Sequence, residues 1–330
     1  MDIQRRQLLR VLASATAISS ASRFACAEDY PSRPITLIVG FAAGGPTDVY
    51  ARVLADPLQN SLGVPVKVEN VNGAAGSIAA GRVASAVPDG YTLSIGPGMS
   101  THVINGAIYD LSYDVVTDFT PVALLSFLPQ VILSKKAIPA DDLKGLISWL
   151  RANPDTTMQA TSGAGSPGHI AGILFQKETD TRFGFVPYRG LGPALQDLVA
   201  GRVDLMIDAG LGSMHFVQDG SIKAFAVMAK DRFEIAPEIP TVDEAGTPGL
   251  YTSLWQAIFA PKGTPRDVIA KLDGAIIRAL ADQAVRGRLA KLGHVIVPTE
   301  EQTPQVLAAY QKSEIARWWP IIKEAGIKPE

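Results

Sequence analysis

Patterned sequence begins at Ile35-Thr36-Leu37-Ile38-Val39, a short β-rich run closed by Gly40. After a glycine-rich stretch, Tyr50, Val53, Leu54, Leu58 and Leu62 recur at helical spacing until Gly63 stops the pattern. Strand, tight loop and helix are predicted in that order. Pro57 falls inside the helix, where it lacks an N–H and crowds the carbonyl of Val53, so a bend is expected. Val66-Lys67-Val68-Glu69 predicts a second strand, residues 78–86 a helix, and Tyr91-Thr92-Leu93-Ser94-Ile95 a third strand ended by Gly96-Pro97-Gly98. Such a βαβαβ alternation predicts an open, mostly parallel α/β sheet.

A second unit opens near Pro129-Gln130-Val131-Ile132-Leu133, with a helix over residues 143–150 and a strand near Met158-Gln159-Ala160. The strand, glycine loop and helix pattern then recurs through Ser162-Gly163-Ala164-Gly165-Ser166-Pro167-Gly168-His169. Ser166 suits an N-cap and Pro167 the first helical position. A helix over residues 193–200 stops at Gly201 and feeds the strand Val203-Asp204-Leu205-Met206-Ile207, with Asp208 at its carboxyl end. Gln256-Ala257-Ile258-Phe259-Ala260 predicts a strand returning to the first unit. A chain that leaves one unit, builds a second and returns has two crossovers, which make a hinge. The expected division is one lobe from residues 28–127 and 253–330 and a second from 128–252.

The amino terminus changes the picture of where the protein works. Arg5, Arg6 and Arg10 precede an apolar stretch of small residues that ends in Ala25-Cys26-Ala27. That is the layout of a signal peptide over residues 1–27, cleaved after Ala27. The Arg5-Arg6 pair hints at twin-arginine export, and the general secretory route stays open. The apolar run is shorter than the roughly 20 residues needed to span a bilayer. Cleavage removes Cys26, the one cysteine, so no thiol, disulfide or thiolate ligand is expected in the mature chain. It also removes four of 30 basic and one of 32 acidic residues, leaving 26 against 31 and a net charge near −5. Such a surface does not invite nucleic acid.

Open α/β sheets bind ligands outside the carboxyl ends of their strands, where loops enter helices. Both glycine-rich loops belong there, and free first-turn N–H groups with the positive end of the helix dipole favour an anion. Glycines that merely permit tight turns are the plainer alternative. Gly163, Gly165 and Gly168 spell G-x-G-x-x-G, but the acidic ribose partner of a dinucleotide site is replaced by Val186-Pro187-Tyr188-Arg189. Ala164-x-Ser166-x-Gly168 resembles a nucleophile elbow, yet the next residue, Pro167, has no N–H for an oxyanion hole. His102, His169, His215 and His294 are scattered without metal-ligand spacing. No cofactor, metal or catalytic residue is therefore expected. Asp48 and Asp208 are each suited either to orienting a polar ligand group or to capping a loop.

Tyr30-Pro31-Ser32-Arg33-Pro34-Ile35 running into Gly40-Phe41-Ala42-Ala43-Gly44-Gly45-Pro46-Thr47-Asp48 resembles the opening of the Bug-type solute-binding proteins of tripartite tricarboxylate transporters. The likeness continues through Pro88-Asp89-Gly90-Tyr91-Thr92-Leu93, Asp118-Phe119-Thr120-Pro121-Val122, Gly165-Ser166-Pro167-Gly168-His169, Pro187-Tyr188-Arg189-Gly190 and Ala260-Pro261-Lys262-Gly263-Thr264-Pro265. It implies a periplasmic, two-lobed "Venus flytrap" of the periplasmic binding protein type that closes on a small carboxylate. By position it implies a grip from residues 41–48 and 162–169. Thr47 and Ser166 would supply hydroxyls, Gly44, Gly45 and Gly168 close backbone approach, and Asp208 a distal contact. Phe41, Ala43, Asp48, Ser162, Gly165 and His169 complete the two loops, and Met99 and Arg189 are added as residues that would shape selectivity, with His102 beside them. The third loop departs from the family, with Pro97-Gly98-Met99 at its core and Asn105-Gly106 in place of Asn-Pro.

The expected function is a monomeric extracytoplasmic receptor that hands its carboxylate to membrane permease subunits. A periplasmic sensor presenting its closed form to a signalling partner would use the same cleft. A hydrolase acting through Ser166 is the third reading, set against the Pro167 argument.

Overall fold

The computed structural model describes residues 30–154, 156–163, 165–188 and 190–327. The predicted signal peptide and Arg189 lie outside the described residues. Eleven strands among them form two sheets. The first holds β1 (Ile35–Val39), β2 (Val66–Asn70), β3 (Thr92–Pro97), β4 (Phe119–Pro129), β10 (Ser253–Pro261) and β11 (Val295–Ile296), in the order β11-β4-β10-β3-β1-β2. The second holds β5 (Val131–Lys135), β6 (Met158–Thr161), β7 (Gly184–Pro187), β8 (Leu205–Asp208) and β9 (Ile222–Val227), in the order β7-β6-β8-β5-β9. Helices flank both, so the molecule is a two-lobed α/β protein.

The sheets are mixed rather than mostly parallel. β1 pairs parallel with β2 and β3, as the βαβαβ pattern requires, whereas β10 runs antiparallel to both β3 and β4. In the second sheet β6 is parallel to β7 and β8, while β5 is antiparallel to β8 and β9. The antiparallel members belong to the segments that pass between lobes: a strand that leaves a sheet and one that returns to it run in opposite directions. β4 passes into β5 through Gln130 alone. There Gln130 N–H donates to the Thr252 carbonyl at 3.3 Å, Met228 N–H to the Gln130 carbonyl at 2.8 Å, and Thr252 N–H to the Met228 carbonyl at 3.0 Å. The two crossings, at Gln130 and Thr252, are thus tied to each other and, through Met228, to the end of β9.

Helix α1 (Pro46–Leu62) follows β1, starts at Gly45 with Pro46 in its first turn, carries Pro57 inside it, and ends at left-handed Gly63. It buries Tyr50, Leu54 and Leu58 against β1 and against Leu272, Ile276 and Leu280 of α8 (Arg266–Ala281), with α9 (Gln283–Lys291) beside it. α2 (Ser77–Ala84) covers the opposite face of the first sheet with Ala79, Ala80 and Val83. After β3 the chain takes a π-helical turn, Ser100–Ile104, that runs into α3 (Asn105–Ile108). The wider winding of a π turn loosens the ordinary i→i−4 ladder, and α10 (Pro304–Glu324) takes up its carbonyls. Gln311 Nε2 donates to His102 O at 3.0 Å, and Trp319 Nε1 donates to Val103 O at 2.9 Å. In the second lobe α4 (Leu143–Ala152) and α5 (Pro167–Thr179) lie on one side of the sheet, and α6 (Leu191–Val199) and α7 (Met214–Gln218) on the other. No helix among the described residues is long and apolar enough to cross a membrane.

Candidate binding cleft between the lobes

The second glycine loop is built around the start of α5. Ser166 is the N-cap: its backbone is extended (φ −63°, ψ 156°) and its Oγ accepts from His169 N–H at 3.4 Å, with Pro167 in the first turn. Gly163 and Gly165 hold φ of 118° and 71°, the left-handed region that side chains avoid, so the loop folds back and Ser166 N–H reaches the Gly163 carbonyl at 3.2 Å. His169 Nδ1 accepts from Gly165 N–H at 2.9 Å, and its ring meets Phe185 edge-on at 4.4 Å. Nδ1 is thereby committed to the loop and is not a base for Ser166. A Cβ at Gly168 would stand 2.4 Å from the Ile207 carbonyl oxygen, so glycine there lets α5 start close against β8.

The first loop is fastened by its own aspartate. Asp48 accepts from Gly44 N–H at 2.8 Å, Arg52 Nε at 2.9 Å and Asn70 Nδ2 at 3.0 Å, and Asn70 Nδ2 also donates to Phe41 O at 3.0 Å. The Arg52 hydrogen bond, more than the loop N–H and Asn70, outweighs burial and holds the carboxyl down at about 2. Of the two roles open to it, Asp48 takes loop capping, because both its oxygens are spent inside the protein. Asn70, not expected at the site from the sequence, thus helps to fasten the first loop. Thr47 is buried, its hydroxyl without a protein partner among the described residues, while Ala43 and Gly44 are exposed and Gly45 half-buried.

Between the two loops lies a cleft of about 320 Å³. One wall comes from the first lobe, with Phe41, Ala75, Ser100, Ile104, Asn105, Ile108 and Tyr109; the facing wall is Ser162, Gly163, Gly165, Ser166 and Pro167. The structure thus brings Phe41, Ser162, Gly165 and Ser166 together. It also adds the turn before α2, where Ala74 and Ala75 hold φ of 44° and 50°, a left-handed conformation costly for alanine. Asn105 Nδ2 donates to Ala75 O at 3.0 Å and Ser77 Oγ to Ala74 O at 2.6 Å, which fixes that turn. Asn72-Gly73 and Gly76 mark a turn there, but nothing local marks the two alanines as its left-handed residues.

Three expected selectivity residues sit elsewhere. Met99 has no exposed surface and packs in the core, since the π turn that follows it points its side chain inward. His102 is 1% exposed, stacked on Phe259 at 3.9 Å with Phe119 edge-on at 4.7 Å, and burial holds it neutral by lowering its pKa to about 3. Asp208 ends β8 opposite Val131, beside the crossing at Gln130, and is buried. Desolvation pushes it up to about 6 against the N–H groups of Ala209 and Gly210 that hydrogen-bond it. None of the three lines the cleft.

The cleft can hold an anion without a formal counter-charge in its described lining. The Ser166 hydroxyl accepts within the cap and retains its own proton as a donor. The Gly168 N–H has no intrahelical acceptor, as is general for the first turn. The dipole of a 13-residue helix adds about 0.3 to 1 kcal/mol per charge at such a start. Among the described residues no group of three or more His, Cys, Asp or Glu could hold a metal ion.

Two lobes joined by paired crossovers, with the start of α5 facing a cleft between them, define a two-lobed solute-binding protein. Residues 50–327 match the family model described as tripartite tricarboxylate transporter family receptor, and the chain belongs to that family. Solved relatives agree in fold. The periplasmic binding protein BugD is 34% identical, with a TM-score of 0.76, over 91% of this chain and 100% of its own. MatC from Rhodopseudomonas palustris, solved with bound malate, is 39% identical, with a TM-score of 0.76, over 89% and 100%. R. palustris Rpa4515, solved with adipate, is 36% identical, with a TM-score of 0.77, over 92% and 100%.

Proposed function

We propose that this protein is an extracytoplasmic receptor that closes its lobes on a small carboxylate and delivers it to the membrane subunits of a tripartite transporter. The observation that carries the reading is the cleft itself. Ser166, capping α5, faces Phe41 and Ala75 of the other lobe across one cavity of a size for a small acid. Malate and adipate in the relatives' structures support the ligand class.

In this reading residues 28–127 and 253–330 form one lobe, 128–252 the other, in a monomer exported by a signal peptide cleaved after Ala27. The carboxylate lies at the α5 start, taking the Ser166 and Ser162 hydroxyls and the Gly168 N–H. Phe41, Ile104 and Ile108 cover the carbon skeleton. Deletion of the gene is expected to abolish uptake of the bound acid, and restoring the gene to recover it. Unchanged uptake in the deletion strain, with a signalling defect instead, would turn the reading toward a sensor.

A further inference from the structure

We infer that Ser100, in the π turn after β3, is a specificity-determining residue that reads an oxygen substituent, hydroxyl or oxo, on the carbon skeleton of the bound acid. This rests on the carboxylate reading above and names the ligand class more closely.

Ser100 lines the cleft, yet is only 9% exposed. Three of its polar neighbours have found protein acceptors. Thr101 Oγ1 donates to Pro97 O at 3.0 Å, Asn105 Nδ2 to Ala75 O at 3.0 Å and Ser77 Oγ to Ala74 O at 2.6 Å. The Ser100 hydroxyl has no such partner among the described residues. That hydroxyl is therefore free to bond a group held in the cleft. The loop that carries it is rigid, since Gln311 and Trp319 of α10 hold the next carbonyls of the turn and Thr101 holds the turn to β3. π turns of this kind concentrate at functional sites.

The chemistry follows from placement. Ser162 and Ser166 stand on the second lobe with the helix start that favours the carboxylate, whereas Ser100 stands on the first, among Phe41, Ile104 and Ile108. A ligand gripped at its carboxylate therefore meets Ser100 along its skeleton, flanked by apolar side chains. A serine hydroxyl gives one proton and offers two lone pairs, so it serves a ligand hydroxyl or oxo group equally. A site that has committed a buried hydroxyl to such a partner discriminates against the analogue that lacks it.

The test is calorimetric titration of the full mature chain and its Ser100→Ala variant with matched acids that differ by one oxygen. Succinate against malate, propionate against lactate and butyrate against 3-hydroxybutyrate are the pairs. The oxygenated member of at least one pair is expected to bind the wild type about tenfold more tightly. Ser100→Ala should bring that ratio near one by weakening the oxygenated acid and leaving the plain one within about twofold. Carboxylates that bind with no preference in any pair, or a preference that survives Ser100→Ala, would overturn the inference while leaving the receptor reading intact. Failure of every acid to bind a folded protein would remove both. Equal melting temperatures of the two unliganded proteins establish that the variant is folded, and Ser100→Thr, which keeps a hydroxyl, should retain the preference if Ser100→Ala proves unstable.

Discussion

Ser166 shows how one side chain serves fold and site together. As an N-cap it is worth about 0.5 to 2 kcal/mol to its helix, and the proton it does not use in the cap is what it offers the cleft. Ser166→Ala is expected to lower the melting temperature by a few degrees and weaken carboxylate binding at least tenfold; an unchanged affinity would remove Ser166 from the grip. Titration adds a second prediction. His102 and His294 are buried neutral, their pKa values lowered to about 3 and about 4, so the unfolded chain takes up their protons first as pH falls below about 6.5. Stability therefore declines from pH 6.5 toward 4. Asp208 opposes this: raised to about 6, it binds its proton earlier in the folded state and adds stability as pH falls from 6 toward 3.8. Asp208→Asn should make the decline between pH 6 and 4 steeper in denaturant titrations, and a shallower decline would contradict the assignment.

Glycine and proline at element boundaries decide how closely the elements meet. Gly168 lets α5 start against β8, where a methyl group would stand 2.4 Å from the Ile207 carbonyl. Gly168→Ala is expected to cost about 1 to 3 kcal/mol by pushing the helix off the sheet, read as a lower denaturation midpoint at an unchanged slope. Most of these elements were legible in the sequence: β1, α1 with its stop at Gly63, and the Ser166-Pro167 start of α5 all follow from local chemistry. β4 was not, because Pro121 and Pro129 break the run that would mark a strand, and its pairing with β10 supplies what the local pattern does not. Strand direction was equally hidden, since a buried strand has the same composition whether its neighbour is parallel or antiparallel. Met99 and His102 were placed in the cleft because they follow a strand end. Their burial depends on a π turn held by Gln311 and Trp319, some 200 residues later, which no local pattern reveals.

At the scale of the molecule, the lobes meet at the two crossings, where Gln130 and Thr252 are tied together with Met228, and at the end of α10, where Glu324 pairs with Lys177 at 2.9 Å. That pair is more than half exposed on both sides, and exposed pairs contribute about 0 to 1 kcal/mol. It does not lock the lobes together, and a ligand touching both walls of the cleft favours the closed form. The most direct measurement is a thermal melt of the mature protein against a panel of small carboxylates, malate and adipate included. A ligand present at 100 times its dissociation constant adds about 2.7 kcal/mol, roughly 4 °C for a chain of this size. At least one acid should produce such a rise, be recovered unchanged, and lose most of its effect in Ser166→Ala. A folded protein that no carboxylate stabilises, or an acid whose effect is indifferent to Ser166, would contradict the placing of a carboxylate at the α5 start.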